Sequence, residues 1–323
     1  MTALGIVCIT WGTEHKDNNM DSMTLRGLGI AMITPFDKDK QIDFAALGRL
    51  IDYVVENGAN YLVILGTTGE TPTLTHKERE SVRRFAVEYT AGRVPLIVGM
   101  GGNCTAALIE ELKNTDLSGY SAILSVAPFY NKPSQQGLYE HYAAIAKNSP
   151  LPVILYNVPG RTGVNISADT TIRLARDFSN IIAVKEASGN FRQIEDILNN
   201  CPENFQVISG DDALTYPLIA LGAVGVISVV GNAFPHMFGD MVRRCLAGDF
   251  KNALPVHYQF ERLYEELFVD GNPAGIKYVL HEMGFIENEL RLPLVPTRRE
   301  TRAKLDQILD QISNAHNKSS HTN

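Results

Sequence analysis

The segment Ile181-Ile182-Ala183-Val184-Lys185 is apolar on both faces until its last residue, which is a lysine. Because side chains alternate between the two faces of a strand, Lys185 is expected to share a face with Ile181 and Ala183, opposite Ile182 and Val184. A strand that is apolar on both faces is typical of a parallel sheet covered by helices. The segment therefore predicts a buried parallel strand that ends in a lysine.

A lysine at this place is costly as a charge and useful as a nucleophile. Burial removes the hydration that favours the ammonium form, so we expect the pKa of Lys185 to fall. A free amine can attack a carbonyl carbon and form a Schiff base. A structural alternative stays open: Lys185 could extend from the strand end into solvent or pair with the adjacent Glu186.

The strand that ends in Lys185 is one of eight apolar runs that alternate with amphipathic segments. The runs cover residues 28–36, 61–67, 95–101, 121–129, 152–158, 181–187, 206–210 and 224–230. Between them, segments such as 44–56, 77–89, 138–147 and 168–176 have the i, i+3, i+4 spacing of apolar residues that indicates a helix. Eight such units predict an α/β fold of the TIM (β/α)8 barrel type. The competing open, doubly wound sheet lacks its GxGxxG turn here.

The same patterns divide the chain into four parts. Residues 1–22 are expected to be a disordered N-terminal extension, and residues 23–247 are expected to form the barrel. Residues 248–313 carry only helical patterns, which predicts a small C-terminal helical domain packed on the barrel. The polar tail, residues 314–323, is expected to fray.

Composition argues against several classes of protein. A net charge of −7 over 323 residues disfavours binding to a nucleic-acid backbone. No apolar run reaches the length of a membrane span, and the start of the chain lacks the basic residues of a secretory signal. The scattered cysteines predict free thiols and a cytoplasmic protein. They are Cys8, Cys104, Cys201 and Cys245. The eight histidines show no HxH or HxxxH spacing, which disfavours a metal-dependent aldolase.

Polar residues gather at the predicted C-terminal ends of the strands, where a TIM barrel carries its active site. They are Thr34, Thr67, Thr68, Tyr130, Tyr156, Lys185, Gly210, Asp211 and Ser228. The turn at 66–70, GTTGE, contains two glycines that allow amides and hydroxyls to converge on one anion, such as a carboxylate. Taken alone, such a string is more often a turn capped by threonines, and a tyrosine at a strand end is more often a packing residue.

Five motifs occur together along the chain. They are GTTGE (66–70), PFYNKP (128–133), YNVPGRT (156–162), VKEASG (184–189) and SGDD (209–212). In this order and spacing they resemble the dihydrodipicolinate synthase family over residues 23–299. The resemblance implies class I Schiff-base chemistry on a TIM barrel, in which pyruvate condenses with aspartate semialdehyde on the pathway to diaminopimelate and lysine. It implies no metal or organic cofactor, and it implies a homotetramer built as a dimer of dimers.

The resemblance also implies catalytic roles for four residues. Lys185 would form the imine with the keto carbon of pyruvate. Tyr156 would transfer protons beside it while the carbinolamine dehydrates and the enamine forms. Thr67 and Tyr130 would extend a hydroxyl relay from Tyr156 to solvent, with Tyr130 reaching into the pocket of a neighbouring subunit.

Four further residues would bind the substrates. Thr68 would hold the pyruvate carboxylate through its backbone amide and hydroxyl, and the Ile227 carbonyl and Gly210 would line the same pocket. Arg161 would bind the carboxylate of aspartate semialdehyde, since a guanidinium offers two parallel donors to a carboxylate.

The chain departs from the family where the lysine-inhibited member has its feedback pocket. Ala107, Arg79 and Phe129 replace an acidic residue, a histidine and a tyrosine there, while His76 and Asn103 remain. The replaced glutamate would pair with the amino group of lysine, so the resemblance does not carry lysine feedback over to this chain.

Two other functions stay open. N-acetylneuraminate lyases and keto-deoxy-sugar aldolases share the lysine and the tyrosine, but they usually have a serine in the GxTGE turn and lack the arginine. The presence of Thr67 and Arg161 therefore favours the synthase. A non-catalytic barrel that only binds or regulates would be expected to have lost Lys185 or Tyr156.

Overall fold

The computed structural model describes the backbone of residues 24–320 and the side chains of residues 24–314. Eight parallel strands close into a barrel in the order of the chain, which confirms the predicted TIM barrel and excludes an open sheet. The strands are β1 (Gly27–Ala31), β2 (Tyr61–Ile64), β3 (Leu96–Gly99), β4 (Ala122–Val126), β5 (Val153–Asn157), β6 (Ile181–Glu186), β7 (Gln206–Ser209) and β8 (Gly225–Ser228). The expectation for residues 1–22 lies outside the described residues, as does the end of the tail, residues 321–323; the backbone of residues 314–320 continues the last helix.

Helices follow the strands and cover the outside of the barrel. Up to β8 they are α1 (Phe44–Glu56), α2 (His76–Thr90), α3 (Thr105–Asn114), α4 (Gln135–Asn148), α5 (Pro159–Thr162), α6 (Ala168–Asp177), α7 (Phe191–Asn200) and α8 (Thr215–Leu221). After β8 come α9 (Pro235–Leu246), α10 (Phe250–Gln259), α11 (Glu261–Glu266), α12 (Ala274–Glu282) and α13 (Arg299–Ser320). Within the described residues, no helix is both long and apolar enough to cross a membrane.

Local side chains define where several helices begin. The Asp43 carboxylate accepts a hydrogen bond from the Ala46 amide at the start of α1. At the start of α2, Thr75 and Glu78 form a reciprocal capping box. Such caps satisfy amides that have no partner within the helix, and each contributes about 1 kcal/mol.

The strands end earlier than the apolar runs that predicted them. The second run, residues 61–67, continues past the end of β2 at Ile64. Leu65 then adopts a φ of 58°, which breaks the extended chain, and a 3₁₀ turn follows at Thr67–Gly69. The last residues of the run therefore form the loop that carries polar side chains, so the apolar pattern marks the strand together with its exit.

Two apolar clusters hold the barrel together. The inner cluster fills the barrel with side chains from alternate strand positions, among them Ile97, Ile154 and Ile208. The larger cluster lies between the opposite faces of the strands and the surrounding helices. This two-sided burial explains why the strands read as continuous apolar runs.

For the first two residues of β6, the prediction of which face of the strand each side chain lies on is wrong. The register between β5 and β6 shifts after Ile181, so that β6 carries an extra residue, Ile182, in a β-bulge. Ile181 therefore packs in the cluster beneath the helices, whereas Ile182 contacts the inner cluster. Beyond the bulge the alternation is regular: Val184 packs beneath the helices, and Lys185 lies over the Tyr156 ring on the inner side.

Candidate active site

Lys185 and Tyr156 are direct neighbours on β6 and β5, where the parallel register pairs them. Lys185 is only 6% exposed, and its Nζ lies 4.4 Å from the centre of the Tyr156 ring. Among the ion pairs of residues 24–314, none involves Lys185. A buried ammonium or amine therefore faces a phenol ring and has no carboxylate partner.

The neighbouring Glu186 is engaged elsewhere. Both of its carboxylate oxygens accept hydrogen bonds at 3.1 Å from Asn157 Nδ2, and one also accepts from Gln193 Nε2 at 3.1 Å. The Ser188 amide donates to it at 2.7 Å. Because this network saturates Glu186, the alternative in which Lys185 pairs with Glu186 is excluded.

Gly210 follows β7 and packs against the stem of Lys185. A Cβ at this position would lie 3.1 Å from Lys185 Cγ and 2.8 Å from the Cβ of Ala187. Both distances are shorter than ordinary contacts between carbon atoms. A side chain at 210 would thus displace the lysine, and the glycine is required for space.

The turn after β2, residues 66–70, is called the threonine turn below. It is held by hydrogen bonds to its own backbone. Thr34 Oγ1 donates to the Gly69 carbonyl at 2.7 Å, and Thr71 Oγ1 donates to the Gly66 carbonyl at 2.9 Å. Thr68, in the middle of the turn, is 3% exposed. The turn is therefore fixed before any ligand arrives.

A cavity of about 470 Å³ opens beside Tyr156. Thr67 and Arg161 also line it, so the structure brings three of the predicted site residues to one cavity. The other five, Lys185, Thr68, Ile227, Gly210 and Tyr130, are not part of its wall.

Arg161 lies on the short helix α5 and is exposed at the cavity. Within the described part of the chain, its guanidinium forms no ion pair and no hydrogen bond; only its backbone amide is engaged, with the Val158 carbonyl. An unpaired guanidinium at the rim of a cavity is well placed to bind a carboxylate.

Tyr130 does not join the other residues within one chain. It is 89% exposed, in the loop between β4 and α4, and its backbone has a φ of 71°. Its amide donates to the Thr162 carbonyl at 3.2 Å. A bulky residue in the left-handed region, with its ring in solvent, is uncommon and often marks a functional position.

The same cavity carries part of the departure from the lysine feedback pocket of the family. Arg79 and Arg83 line it together with Glu111, at 3.8 Å and 4.0 Å from the Glu111 carboxylate. Ala107 is exposed and is not part of the wall. Two guanidinium groups against one carboxylate leave this part of the cavity positively charged, which disfavours a cationic amino group.

Asp212 connects the ends of β7 and β8. Its Oδ2 accepts hydrogen bonds from the amides of Val229 and Val230, at 2.9 Å and 2.8 Å. Burial, opposed by these hydrogen bonds, raises the pKa of Asp212 to about 6. The carboxyl group thereby holds the loop next to Ile227.

The segment at the start of α12 also reaches the threonine turn, which the sequence did not predict. Asn272 Nδ2 donates to Thr68 Oγ1 at 2.9 Å. Lys277, which is fully buried, lies 2.5 Å from Glu70 in an ion pair. Burial lowers the pKa of Lys277 to about 8, and Glu70 opposes that shift. Lys277 lies in an apolar run, the same signal that singled out Lys185, so a second buried lysine could have been found.

Arg291 holds the C-terminal segment at further points of the same region. Its amide donates to Glu70 Oε2 at 3.1 Å, and its guanidinium donates to Glu78 Oε1 at 2.6 Å. The hydrogen bond from Arg291 is the main cause that lowers the pKa of Glu78 to about 2. The barrel mouth and the C-terminal helices are thus joined by charged groups as well as by apolar packing.

Among the described residues, no group of three or more His, Cys, Asp or Glu side chains could hold a metal ion. The Thr67 and Tyr156 side chains and the Arg161 guanidinium line one cavity, and Lys185 lies over the Tyr156 ring. Such a set can bind carboxylates and transfer protons next to an amine.

Comparison with known proteins identifies this arrangement. The model of the dihydrodipicolinate synthetase family matches residues 24–312. The 4-hydroxy-tetrahydrodipicolinate synthase of Parabacteroides distasonis is 58% identical over 294 residues, which covers 91% of this chain and 99% of that protein. The crystal structure of dihydrodipicolinate synthase from Aquifex aeolicus matches with a TM-score of 0.86 at 42% identity, over 89% of this chain and 98% of that one. The chain therefore belongs to the dihydrodipicolinate synthetase family, as its five motifs predicted.

Proposed function

We propose that this chain is a 4-hydroxy-tetrahydrodipicolinate synthase, which condenses pyruvate with L-aspartate 4-semialdehyde through a Schiff base on Lys185. The burial of Lys185 against Tyr156, without a carboxylate partner, is the observation that carries the assignment. Identity of 58% to a protein of that name, over nearly the whole chain, supports the same reaction.

The first half of the reaction needs an amine and a proton donor at one place. The Lys185 amine attacks the keto carbon of pyruvate, and the keto oxygen takes up protons and leaves as water. The resulting iminium draws electrons from the methyl group, which loses a proton and leaves an enamine. Tyr156, on the adjacent strand, is positioned to give and take these protons, with Thr67 next in the relay.

The pyruvate carboxylate needs a separate anion site. The threonine turn offers the amide and hydroxyl of Thr68, and Gly210, which has no side chain, allows the Lys185 stem to keep its position. The Ile227 carbonyl at the end of β8 completes the pocket. The Thr68 amide and hydroxyl, held in place by the turn, orient the keto carbon of pyruvate towards the Lys185 amine.

The second half forms a carbon–carbon bond. The enamine carbon attacks the aldehyde carbon of the semialdehyde, whose carboxylate is held by Arg161. The amino group of the semialdehyde then attacks the imine carbon, closes a six-membered ring and displaces the Lys185 amine. The water released when the imine formed is the only other product, so atoms balance and no redox partner is required.

We propose further that the enzyme works as a homotetramer, a dimer of dimers, in the cytoplasm. The exposed ring of Tyr130 supports a subunit contact, since it would then complete the relay of a neighbouring site. The three cysteines in the described part of the chain are free, in keeping with a reducing compartment. We also propose that residues 23–247 form the barrel domain and residues 248–313 a C-terminal helical domain.

Trapping with borohydride tests the assignment directly. The protein is incubated with pyruvate and sodium borohydride, and the modified residue is located by mass spectrometry of peptides. We expect one reduced adduct, on Lys185, and none in a Lys185→Ala variant whose circular dichroism and melting temperature match those of the wild type. An adduct on the other buried lysine, Lys277, would overturn the assignment.

A further inference from the structure

We infer that Asn272 is a positioning residue that fixes the direction of the Thr68 hydroxyl and thereby completes the site for the pyruvate carboxylate. The inference rests on the proposed function, because it assigns Thr68 to that carboxylate. Asn272 lies outside the barrel strands and outside the five motifs, just before α12.

The contact between the two side chains is short and buried. Asn272 Nδ2 lies 2.9 Å from Thr68 Oγ1, and the two residues are 6% and 3% exposed. The other end of the amide, Asn272 Oδ1, is buried and has no partner within the described residues. The amide therefore makes one specific hydrogen bond at a site where water is largely excluded.

The direction of this bond determines what the threonine can offer. A hydroxyl has one proton to donate and two lone pairs that accept. Because Thr68 accepts from Asn272, its own proton is left free for another acceptor, and the substrate carboxylate is the acceptor expected there. In a dry site, a donor that is already oriented stabilises an anion more strongly than one that must reorient.

A second contact between the same two segments holds the amide in place. Two residues beyond Thr68, Glu70 forms its buried ion pair with Lys277, one turn into α12. Lys277 Nζ also donates to the Glu289 carbonyl at 2.9 Å. The threonine turn and the start of α12 are therefore fixed relative to each other at two points, the Asn272 contact and the Lys277 ion pair.

Two substitutions separate this role from simple packing. Asn272→Asp has nearly the same shape, but its carboxylate accepts the Thr68 proton and places a negative charge near the substrate. Asn272→Ala removes the donor. We expect the KM for pyruvate to rise roughly fivefold to tenfold in Asn272→Ala and further in Asn272→Asp, while kcat at saturating pyruvate changes less than about threefold.

A double-mutant cycle with Thr68 provides the decisive measurement. If Asn272 acts through the Thr68 hydroxyl, Asn272→Ala should raise the KM for pyruvate by less than twofold in a Thr68→Val background. In a Thr68→Ser background, which keeps the hydroxyl, the full increase should return. Melting temperatures identify any variant that has lost its fold. If Asn272→Ala is unfolded, the comparison rests on the isosteric Asn272→Asp alone.

Two results would overturn the inference. One is an Asn272→Asp enzyme whose KM for pyruvate equals that of the wild type. The Thr68 hydroxyl would then already donate to residue 272 in the wild type, and its proton would not be free for the substrate. The other is a set of Asn272 and Thr68 effects that multiply as independent changes. Both presuppose that the wild type traps pyruvate on Lys185; failure of that trapping would instead refute the proposed function.

Discussion

Lys185 Nζ lies 4.4 Å from the centre of the Tyr156 ring, because the register of β5 and β6 places the two residues side by side. The face of an aromatic ring stabilises an ammonium ion by about 0.5 to 2 kcal/mol. A buried carboxylate partner would hold the charge more firmly, as Glu70 does for Lys277. The two buried lysines thus differ in their partners, and only Lys185 is left to react.

Tyr156→Phe should reduce kcat while leaving the fold unchanged, because it keeps the ring beneath Lys185 and removes only the hydroxyl. We expect a loss of roughly 10²- to 10⁴-fold, the usual contribution of a general acid or base. Steady-state rates at saturating substrates measure the loss, and borohydride trapping shows whether imine formation is slowed as well. A kcat equal to that of the wild type would remove Tyr156 from the proton-transfer pathway.

Arg161→Ala should separate the two substrates. Imine formation with pyruvate should persist, whereas kcat/KM for aspartate semialdehyde should fall roughly thirtyfold or more. This corresponds to a loss of about 2 kcal/mol or more of transition-state binding, because a charge-assisted hydrogen bond is lost. Arg161→Lys is the matched control that keeps the charge without the planar fork. If the wild type cleaves N-acetylneuraminate and ignores the semialdehyde, the chain is a sugar lyase.

Tyr130 should act in the site of a partner subunit. Tyr130→Phe and Lys185→Ala are each expected to be nearly inactive, but mixed dimers contain one site with both wild-type residues. Mixing the two variants under conditions of subunit exchange should therefore restore part of the activity. Native mass spectrometry verifies that mixed dimers form. Mixed dimers without activity would show that Tyr130 serves its own chain.

Lys277→Met should destabilise the protein strongly, because Glu70 would remain as a buried charge without its partner. Removing one member of a buried pair typically costs about 3 to 5 kcal/mol. The double variant Glu70→Gln with Lys277→Met should recover a large part of that loss. Denaturant unfolding of the single and double variants measures the coupling. A double variant that shows the sum of both single losses would contradict it.

Asp212 should make stability depend on pH. Its pKa in the folded protein is about 6, above its ordinary value of 3.8, mainly because of burial. The folded state then binds the proton more tightly, so the contribution to stability is complete below about pH 4 and is lost as the pH rises through about 6. The difference amounts to at most about 3 kcal/mol.

Asp212→Asn cannot titrate and should lack this dependence. Measured by denaturant unfolding at a series of pH values, the wild type should lose stability relative to the variant between about pH 4 and 6, and the difference should then level off. A constant difference across this range would show that the Asp212 pKa is not raised.

The apolar periodicity was sufficient to predict eight strands, the neighbouring helices and a lysine at one strand end. Both faces of a barrel strand are apolar, however, so the pattern could not reveal the bulge at Ile182 or the true face of Ile181. The contacts of Thr68 with Asn272 and of Glu70 with Lys277 also escaped it. They depend on how the C-terminal helices dock, and no local periodicity records that.

The contact between Thr68 and Asn272 joins residues 204 positions apart in the chain. During synthesis, all eight strands are complete before residue 272 is added. Chains grow at about 5 to 20 residues per second, so the eight strands exist for seconds without the amide that orients the Thr68 hydroxyl. The orientation of the Thr68 hydroxyl is therefore completed late, and a chain released before residue 272 would leave this carboxylate site incomplete.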